Sequence, residues 1–348
     1  MHKHGGDIYR NQGVVDYSAN INFRGMPESV RQAAKDAIDA SVCYPDPQCE
    51  ELKAAIAEKE NVPAEWIFCG NGAADVIFSL VLALKPQKAL LPIPSFYEYR
   101  QALESVGCQI SEILLKEDEA FCLQKRFVNE IPMDTDMVCL CNPNNPTGML
   151  IPHRLLKRIL EKCRKLGILL VVDECFLDFV KEPEEYSLKR SLSGFNNLFI
   201  LKAFTKRYAM AGVRLGYGLC SNRKLMEKME LHVQPWNVST MAQAAGIQAL
   251  TETKYVEEGR QLVFRESQWL KNEMTRIGYK VFPSEANYIF FKGPEELYEF
   301  CLRKRILIRD CSNYPGLTKG FYRIAVKRHE ENVKLIQVLE GGILWQKQ

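Results

Sequence analysis

The chain has 348 residues, 47% of them hydrophobic and 26% charged, with a formal net charge of +3. That length suits one large or two medium globular domains, and the near-balanced charge, with no Lys/Arg run interleaved with aromatics, gives no electrostatic case for nucleic acid. No apolar run approaches the ~20 residues of a membrane span, and the N-terminus MHKHGGDIYRNQG lacks the apolar core of a secretion signal, so a cytoplasmic protein is expected.

The twelve cysteines are scattered, and Cys139, Cys141, Cys175 and Cys220 fall in or beside apolar strand-like runs. Reduced core thiols are the expectation. Cys139 and Cys141 share one strand face rather than a zinc-ligand spacing, and no histidine pair completes a site, so no metal is expected.

Residues 1–25 are polar and irregular, with room for one strand. Two glycines follow His4, which suggests close backbone approach and makes His4 a candidate site residue; a surface histidine is the plain alternative. Asn20 and Asn22 read equally well as turn residues. Apolar residues at three- and four-residue spacing (Val30, Ala33, Ala34, Ala37, Ile38) predict a helix from Pro27, stopped by the two prolines of Tyr44-Pro45-Asp46-Pro47. A second helix follows from Cys49 to about Glu60, then a short buried strand, Trp66-Ile67-Phe68. That strand ends in Cys69-Gly70-Asn71-Gly72 and runs into a helix over about 73–84. Glycines let the chain turn tightly, and a helix start there offers free N–H groups and a positive dipole end to a phosphate; a tight turn alone explains the same residues.

Strands then alternate with helices: strands over 89–93, 137–141, 168–172 and 198–201, helices over about 97–106 and 152–166. Strands apolar throughout argue for a mostly parallel sheet covered on both faces, and ligands of such sheets gather at the strands' carboxyl ends. Four strands end in polar or proline-bearing clusters: Gly70-Asn71-Gly72, Pro94-Ser95-Phe96, NPNNPTG over 142–148, and Asp173-Glu174. Asp173 follows the apolar run GILLVV. A carboxylate buried there without a partner would cost several kcal/mol, so a cationic or protonated partner is expected, with a structural salt bridge as the alternative.

The strand over 198–201 leads into Thr205-Lys206, and Arg214 follows eight residues after the lysine in a glycine-rich segment. An amine and a guanidinium beside compact backbone suit a cofactor that bears both an aldehyde and a phosphate; a solvated lysine is the ordinary alternative. Beyond about Pro235 a long helical tract is predicted over 239–275. Strands over 279–282, 288–291, 306–308 and 322–325 and a helix over 294–303 complete a smaller α+β domain.

Taken in order, GNG, NPNNPTG, Asp173-Glu174 and Thr205-Lys206 with Arg214 resemble the pyridoxal-phosphate enzymes of the aspartate aminotransferase fold type, in the histidinol-phosphate aminotransferase branch. Within that branch HGG, DYSANIN, YPDP and RILIRDCSNYPGL are similar to the threonine-phosphate decarboxylases. The resemblance spans nearly the whole chain. It implies an α/β protein of fold type I, whose large domain, 27–237, holds a mostly parallel seven-stranded sheet sandwiched by helices. A smaller α+β domain, 238–348, and an N-terminal arm, 1–26, that contributes to the site would accompany it.

The same resemblance implies pyridoxal 5'-phosphate as cofactor, its phosphate held by Gly72, Ala73, Ala74, Thr205 and Arg214, with Tyr44 reaching in from the other subunit of a homodimer. Lys206 would be the Schiff-base lysine and would move the proton at Cα, Asp173 would pair with the ring nitrogen, Asn145 would bond the ring oxygen, and Phe96 would stack on the ring. Arg323 would take the substrate carboxylate, and Arg309, with His4 and Asn20 near it, the substrate phosphate. Phe176 stands where transaminases of this type often carry a tyrosine, and Ala203 where many carry a hydroxyl. The implied substrate is a small phosphorylated amino acid or amine. The implied activity is decarboxylation of L-threonine O-3-phosphate, or a close phosphoamino acid, to aminopropanol phosphate for cobalamin biosynthesis. Histidinol-phosphate aminotransferase is the alternative. A non-catalytic cofactor-binding protein is a third reading, disfavoured by the intact set of Lys206, Asp173, Asn145 and Arg214.

Overall fold

The computed structural model of the chain describes residues 4–345. In chain order its strands are β1 (Val15–Asp16), β2 (Ile67–Gly70), β3 (Lys88–Ile93), β4 (Gln109–Leu114), β5 (Met137–Cys141), β6 (Leu169–Asp173), β7 (Leu198–Ala203) and β8 (Gly216–Leu219), then β9 (Lys280–Val281), β10 (Tyr288–Lys292), β11 (Ile306–Leu307), β12 (Arg309–Asp310) and β13 (Phe321–Ala325). The central sheet has seven strands in the order β2-β8-β7-β6-β5-β3-β4. Only β8 runs antiparallel to its neighbours in that sheet, as the mostly parallel α/β reading requires.

Alternation along the strands builds two cores. Val138, Leu140, Leu170, Val172, Leu198 and Ile200 face one apolar cluster. Met137, Cys139, Val171, Phe199 and Leu201 face the other. Each face is covered by a helix whose apolar residues recur every three or four positions: Leu155, Leu156, Ile159 and Leu160 of His153–Leu166 on the first, Val76, Ile77, Leu80 and Val81 of Ala73–Leu84 on the second. Gly167 ends the former in a left-handed conformation, φ 73°, that suits glycine.

A second sheet, β12-β13-β10-β9, is antiparallel throughout. Its position matters because Arg309 on β12 lies directly opposite Arg323 on β13. The arm is tied to this region: β1 pairs in parallel with β11, and Ala325 N–H donates to Tyr17 O at 2.8 Å.

Several elements differ from the sequence reading. The run over 306–308 is a strand only at β11, which pairs with β1, and a separate strand, β12, follows it and pairs with β13. The tract over 239–275 is two helices, Thr240–Thr251 and Thr253–Arg276, broken at Glu252 where ψ reaches 52°. β4 and β8, the helix Arg223–Glu230 and the helix His329–Trp345 are additional to the elements read from the sequence. Among the described residues no helix is long and apolar enough to cross a membrane, and no group of three or more His, Cys, Asp or Glu gathers as a metal site.

Candidate active site

The carboxyl ends of β5, β6 and β7 open onto a cavity of about 260 Å³. Its walls include His4, Asn20, Ala73, Ala74, Phe96, Asn145, Asp173, Thr205, Lys206, Arg214, Arg309 and Arg323. Twelve of the fourteen residues singled out from the sequence are thus brought together. Gly72 stands just behind, and Tyr44 lies elsewhere.

Lys206 is carried by a single helical turn, Phe204–Arg207, that follows β7 directly. Two contacts from the arm hold this turn: Asn22 N–H donates to Lys206 O at 3.1 Å, and Asn22 Nδ2 donates to Arg207 O at 3.0 Å. Burial and the neighbouring Arg323 push the Lys206 ammonium down to about 8, so its amine is more readily neutral than an ordinary lysine. Phe176 offers its ring face 5.8 Å from Nζ.

Asp173 ends β6 and is 5% exposed. It accepts from Tyr99 OH at 2.5 Å and from Cys175 N–H at 2.8 Å, and no salt bridge reaches it among the described residues. Burial moves its pKa above the ordinary carboxylate value despite those donors. Of the cationic or protonated partner expected from its burial, the Tyr99 hydroxyl supplies the protonated kind, and no described side chain supplies a cation in ion-pair contact. Phe96, at the start of the helix Tyr97–Glu104, packs edge-on to Tyr99 at 5.5 Å.

Asn145 is buried, and its Oδ1 accepts from Arg323 Nη1 and, at 3.4 Å, from Tyr314 OH. Those donors assign the amide NH2 as the group left to donate elsewhere. Arg323 also donates to Ser18 O at 2.8 Å, while its Nε is buried without a partner. Arg309 is buried beside it and donates to Asp310 O at 2.6 Å and Asn313 Oδ1 at 2.9 Å. Asn20 is 2% exposed, and its Oδ1 has no hydrogen-bond partner.

On the opposite wall the turn Gly70-Asn71-Gly72 delivers the N-terminus of Ala73–Leu84. Gly72 has φ 89°, and a Cβ there would lie 2.4 Å from Arg214 Nη2. The guanidinium thus rests against bare backbone beside the free N–H groups of the helix start, with Thr205 across from it. Helix dipole, amide donors and guanidinium converge on a cradle for an anion.

His4 is half exposed, with Nδ1 3.3 Å from Glu98 Oε1. Tyr44 is 77% exposed and stacks on Trp236 at 4.3 Å, outside its own chain's cavity. Sequence reasoning assigned no site role to Glu98, Ser18 or Tyr314, which also line the cavity. Tyr314 and Ser18 lie inside NYPGL and DYSANIN, so those motifs were the available signal. Glu98 sits in a helix start that reads as a solvated surface.

The sequence pattern of the family Aminotransferase class I and II matches residues 12–339. The chain is 36% identical to the threonine-phosphate decarboxylase of Salmonella typhimurium, across 94% of this chain and 91% of that protein. It is 28% identical to the adenosylcobalamin biosynthesis bifunctional protein CobDQ of Leptospira interrogans, across 94% of this chain but only 38% of that longer protein. The crystal structure of the histidinol-phosphate aminotransferase from Clostridium acetobutylicum superposes with a TM-score of 0.88 at 31% identity, covering 93% of this chain and 98% of that one. The chain belongs to the aminotransferase class I and II family.

Proposed function

We propose that the chain is a pyridoxal 5'-phosphate enzyme that decarboxylates L-threonine O-3-phosphate, or a close phosphoamino acid, to aminopropanol phosphate for cobalamin biosynthesis. The cavity's own residues fit the cofactor on three independent counts. The Gly72–Arg214 cradle suits its phosphate, Asp173 is buried with no described cation in ion-pair contact, and Lys206 has a depressed pKa. When bound, pyridoxal phosphate supplies an aldehyde that condenses with amines and a ring that draws in the electron pair of a bond broken at Cα.

The chain's residues would do the rest. Ala73 and Ala74 N–H groups, Thr205 and Arg214 hold the cofactor phosphate against Gly72. Asp173 accepts from a protonated ring nitrogen and keeps that proton in place, itself held by Tyr99 and Cys175 N–H. Asn145 donates to the ring oxygen and Phe96 covers one ring face. Lys206, lowered to about 8, would reach its neutral amine more readily near physiological pH than an ordinary lysine does, and as an ammonium it would return a proton to Cα once CO2 has left.

The observation that carries the substrate reading is the pair of buried arginines, Arg309 and Arg323, facing each other across β12 and β13. They make a second, separate anion site. A phosphoamino acid brings a carboxylate for Arg323 and a phosphate for Arg309, His4 and Asn20 in one molecule, whereas an aminotransferase would divide these groups between two substrates, a phosphate on histidinol phosphate and carboxylates on 2-oxoglutarate. The identity to the Salmonella decarboxylase supports the same choice. The likeness to the Clostridium structure favours histidinol-phosphate aminotransferase as the second reading.

A homodimer with shared sites accords with Tyr44, which in its own chain lies exposed, stacked on Trp236, where it could reach the cofactor phosphate of a second chain. An arm of 1–26, a large domain of 27–237 and a small domain of 238–348 accord with the two sheets. All twelve cysteines are free thiols, which suits a reducing cytoplasm. The test is a paired assay on cofactor-loaded protein: CO2 release from O-phospho-L-threonine beside keto-product formation from histidinol phosphate with 2-oxoglutarate. CO2 without keto product is expected; keto product without CO2 overturns the reading in favour of the aminotransferase.

A further inference from the structure

We propose that Glu98 is a phosphate-recognition residue of this cavity, entering the complex as a neutral carboxyl that donates its proton in a hydrogen bond to the substrate phosphate, so that binding is coupled to proton uptake. The inference rests on the reading of the substrate as phosphorylated, but not on which reaction follows.

Glu98 occupies the first turn of Tyr97–Glu104 and its side chain is 15% exposed. Its Oε1 lies 3.3 Å from His4 Nδ1, and its Oε2 is buried with no hydrogen-bond partner. His4 is not there by chance of a loose arm. A Cβ on Gly5 would lie 2.3 Å from Ser18 O, and Gly6 N–H donates to Ser18 Oγ at 2.7 Å, so the His-Gly-Gly turn is packed onto the segment that Arg323 also grips. The arm therefore sets His4, and His4 sets one oxygen of Glu98. The other oxygen remains for a ligand.

The charged and titratable groups facing Glu98 come from every surrounding element: His4 from the arm, Asp173 from β6, Lys206 from the turn after β7, Arg309 from β12, Tyr314 and Arg323. Burial is the largest influence and pushes the Glu98 carboxyl up to about 7, with Asp173 adding to it and its own backbone N–H, Lys206 and Arg309 opposing. His4 is pushed down, by burial and then by Arg309, so no strong imidazolium holds Glu98 ionised. A phosphate ester loses its second proton near pH ~6. A dianion bound beside Glu98 would be repelled by a carboxylate and bonded by a carboxyl. Proton retention by Glu98 resolves that conflict, and affinity then declines as pH rises through the Glu98 pKa.

Glu98→Gln keeps a neutral donor at every pH and tests the idea. For whichever phosphorylated substrate the loaded enzyme turns over, the ratio of kcat/KM, variant to wild type, should rise about tenfold between pH 6 and pH 8, because terms from the substrate amine and Lys206 cancel. A flat ratio overturns the proposal. A second measurement needs no turnover: inorganic phosphate is titrated calorimetrically into loaded wild type and variant at pH 7.5 in two buffers of different ionisation heat. Wild type should take up about three-quarters of a proton more than the variant. Equal uptake, or no phosphate binding to either protein, overturns the proposal. Extra uptake by wild type with no turnover of either candidate substrate would leave the Glu98 assignment standing and bring down the proposed function instead.

Discussion

Lys202 and Lys206 are four residues apart, and their ammonium groups are driven in opposite directions. Lys202 points to the sheet face of Ile200, where burial works against its charge but Glu60, Asp178 and Glu174 together outweigh burial and hold it well above the usual lysine range. Glu60 accepts from Lys202 at 3.3 Å, from Lys189 at 2.9 Å and from Tyr217 OH at 2.5 Å, and those cations hold its pKa well below normal in spite of burial. Its neighbours are bonded too: Glu174 takes Ser187 Oγ and Leu188 N–H, although burial pushes its carboxyl up to about 7, and Arg207 pairs with Asp178 at 2.8 Å with its Nε buried and unpartnered. Asp173 and Lys206, next in sequence to Glu174 and Arg207, face the cavity instead. They make no ion pair with any described residue, and both shift toward the neutral form. One sheet thus carries a closed charge network on one side and, at its carboxyl edge, an open set. The closed set stabilises, and the open set is left for a ligand.

Breaking the open set should cost activity and spare the fold. Lys206→Ala is expected to lower turnover by roughly 10⁴-fold or more while circular dichroism and Tm stay those of wild type, as for loss of a covalent catalyst. Asp173→Asn is expected to lower kcat by about 10²–10³-fold, the scale of a lost electrostatic partner, without lowering the Tm of the cofactor-free protein. The sign follows from linkage. The folded-state pKa of Asp173 lies above its unfolded value, so its ionised form costs stability as pH rises past that value, and Asn removes the cost.

Breaking the closed set should do the reverse. Glu60→Gln leaves Lys202 and Lys189 without their carboxylate and is expected to cost about 3 kcal/mol in urea unfolding at pH 7, with kcat changed less than about threefold. Because the Glu60 pKa is depressed by folding, its contribution is present above about 4.3 and is lost as pH falls below that, so the gap between variant and wild type should close in acid. A large kcat loss in this variant would mean that the two sets are one.

The sequence made the open set visible because each member ends a strand. Asp173 closes the apolar run of β6, Lys206 follows β7, and Gly72 precedes a helix that runs over 73–84 as its apolar spacing predicts. β4 left no such mark. It is an edge strand paired only with β3, and its exposed residues include Gln109, Ser111 and Glu112, which show no buried run. β8 was hidden by glycines, which are there for space: a Cβ on Gly216 would lie 2.4 Å from Ala73 N and one on Gly218 2.1 Å from the Phe199 ring. Glu98 was hidden for a different reason. A glutamate in the first turn of a helix is ordinary solvent-facing chemistry, and only the arm folding back from residue 4 makes it part of a cavity.

The most direct test of the division between open and closed lysines is chemical. Cofactor-free protein is loaded with pyridoxal phosphate, reduced with borohydride, digested and mapped by mass spectrometry. The account predicts label on Lys206 and none on Lys202, with a labelling rate that rises as pH passes through about 8. Label on Lys202, or spread over surface lysines with Lys206 spared, would contradict it.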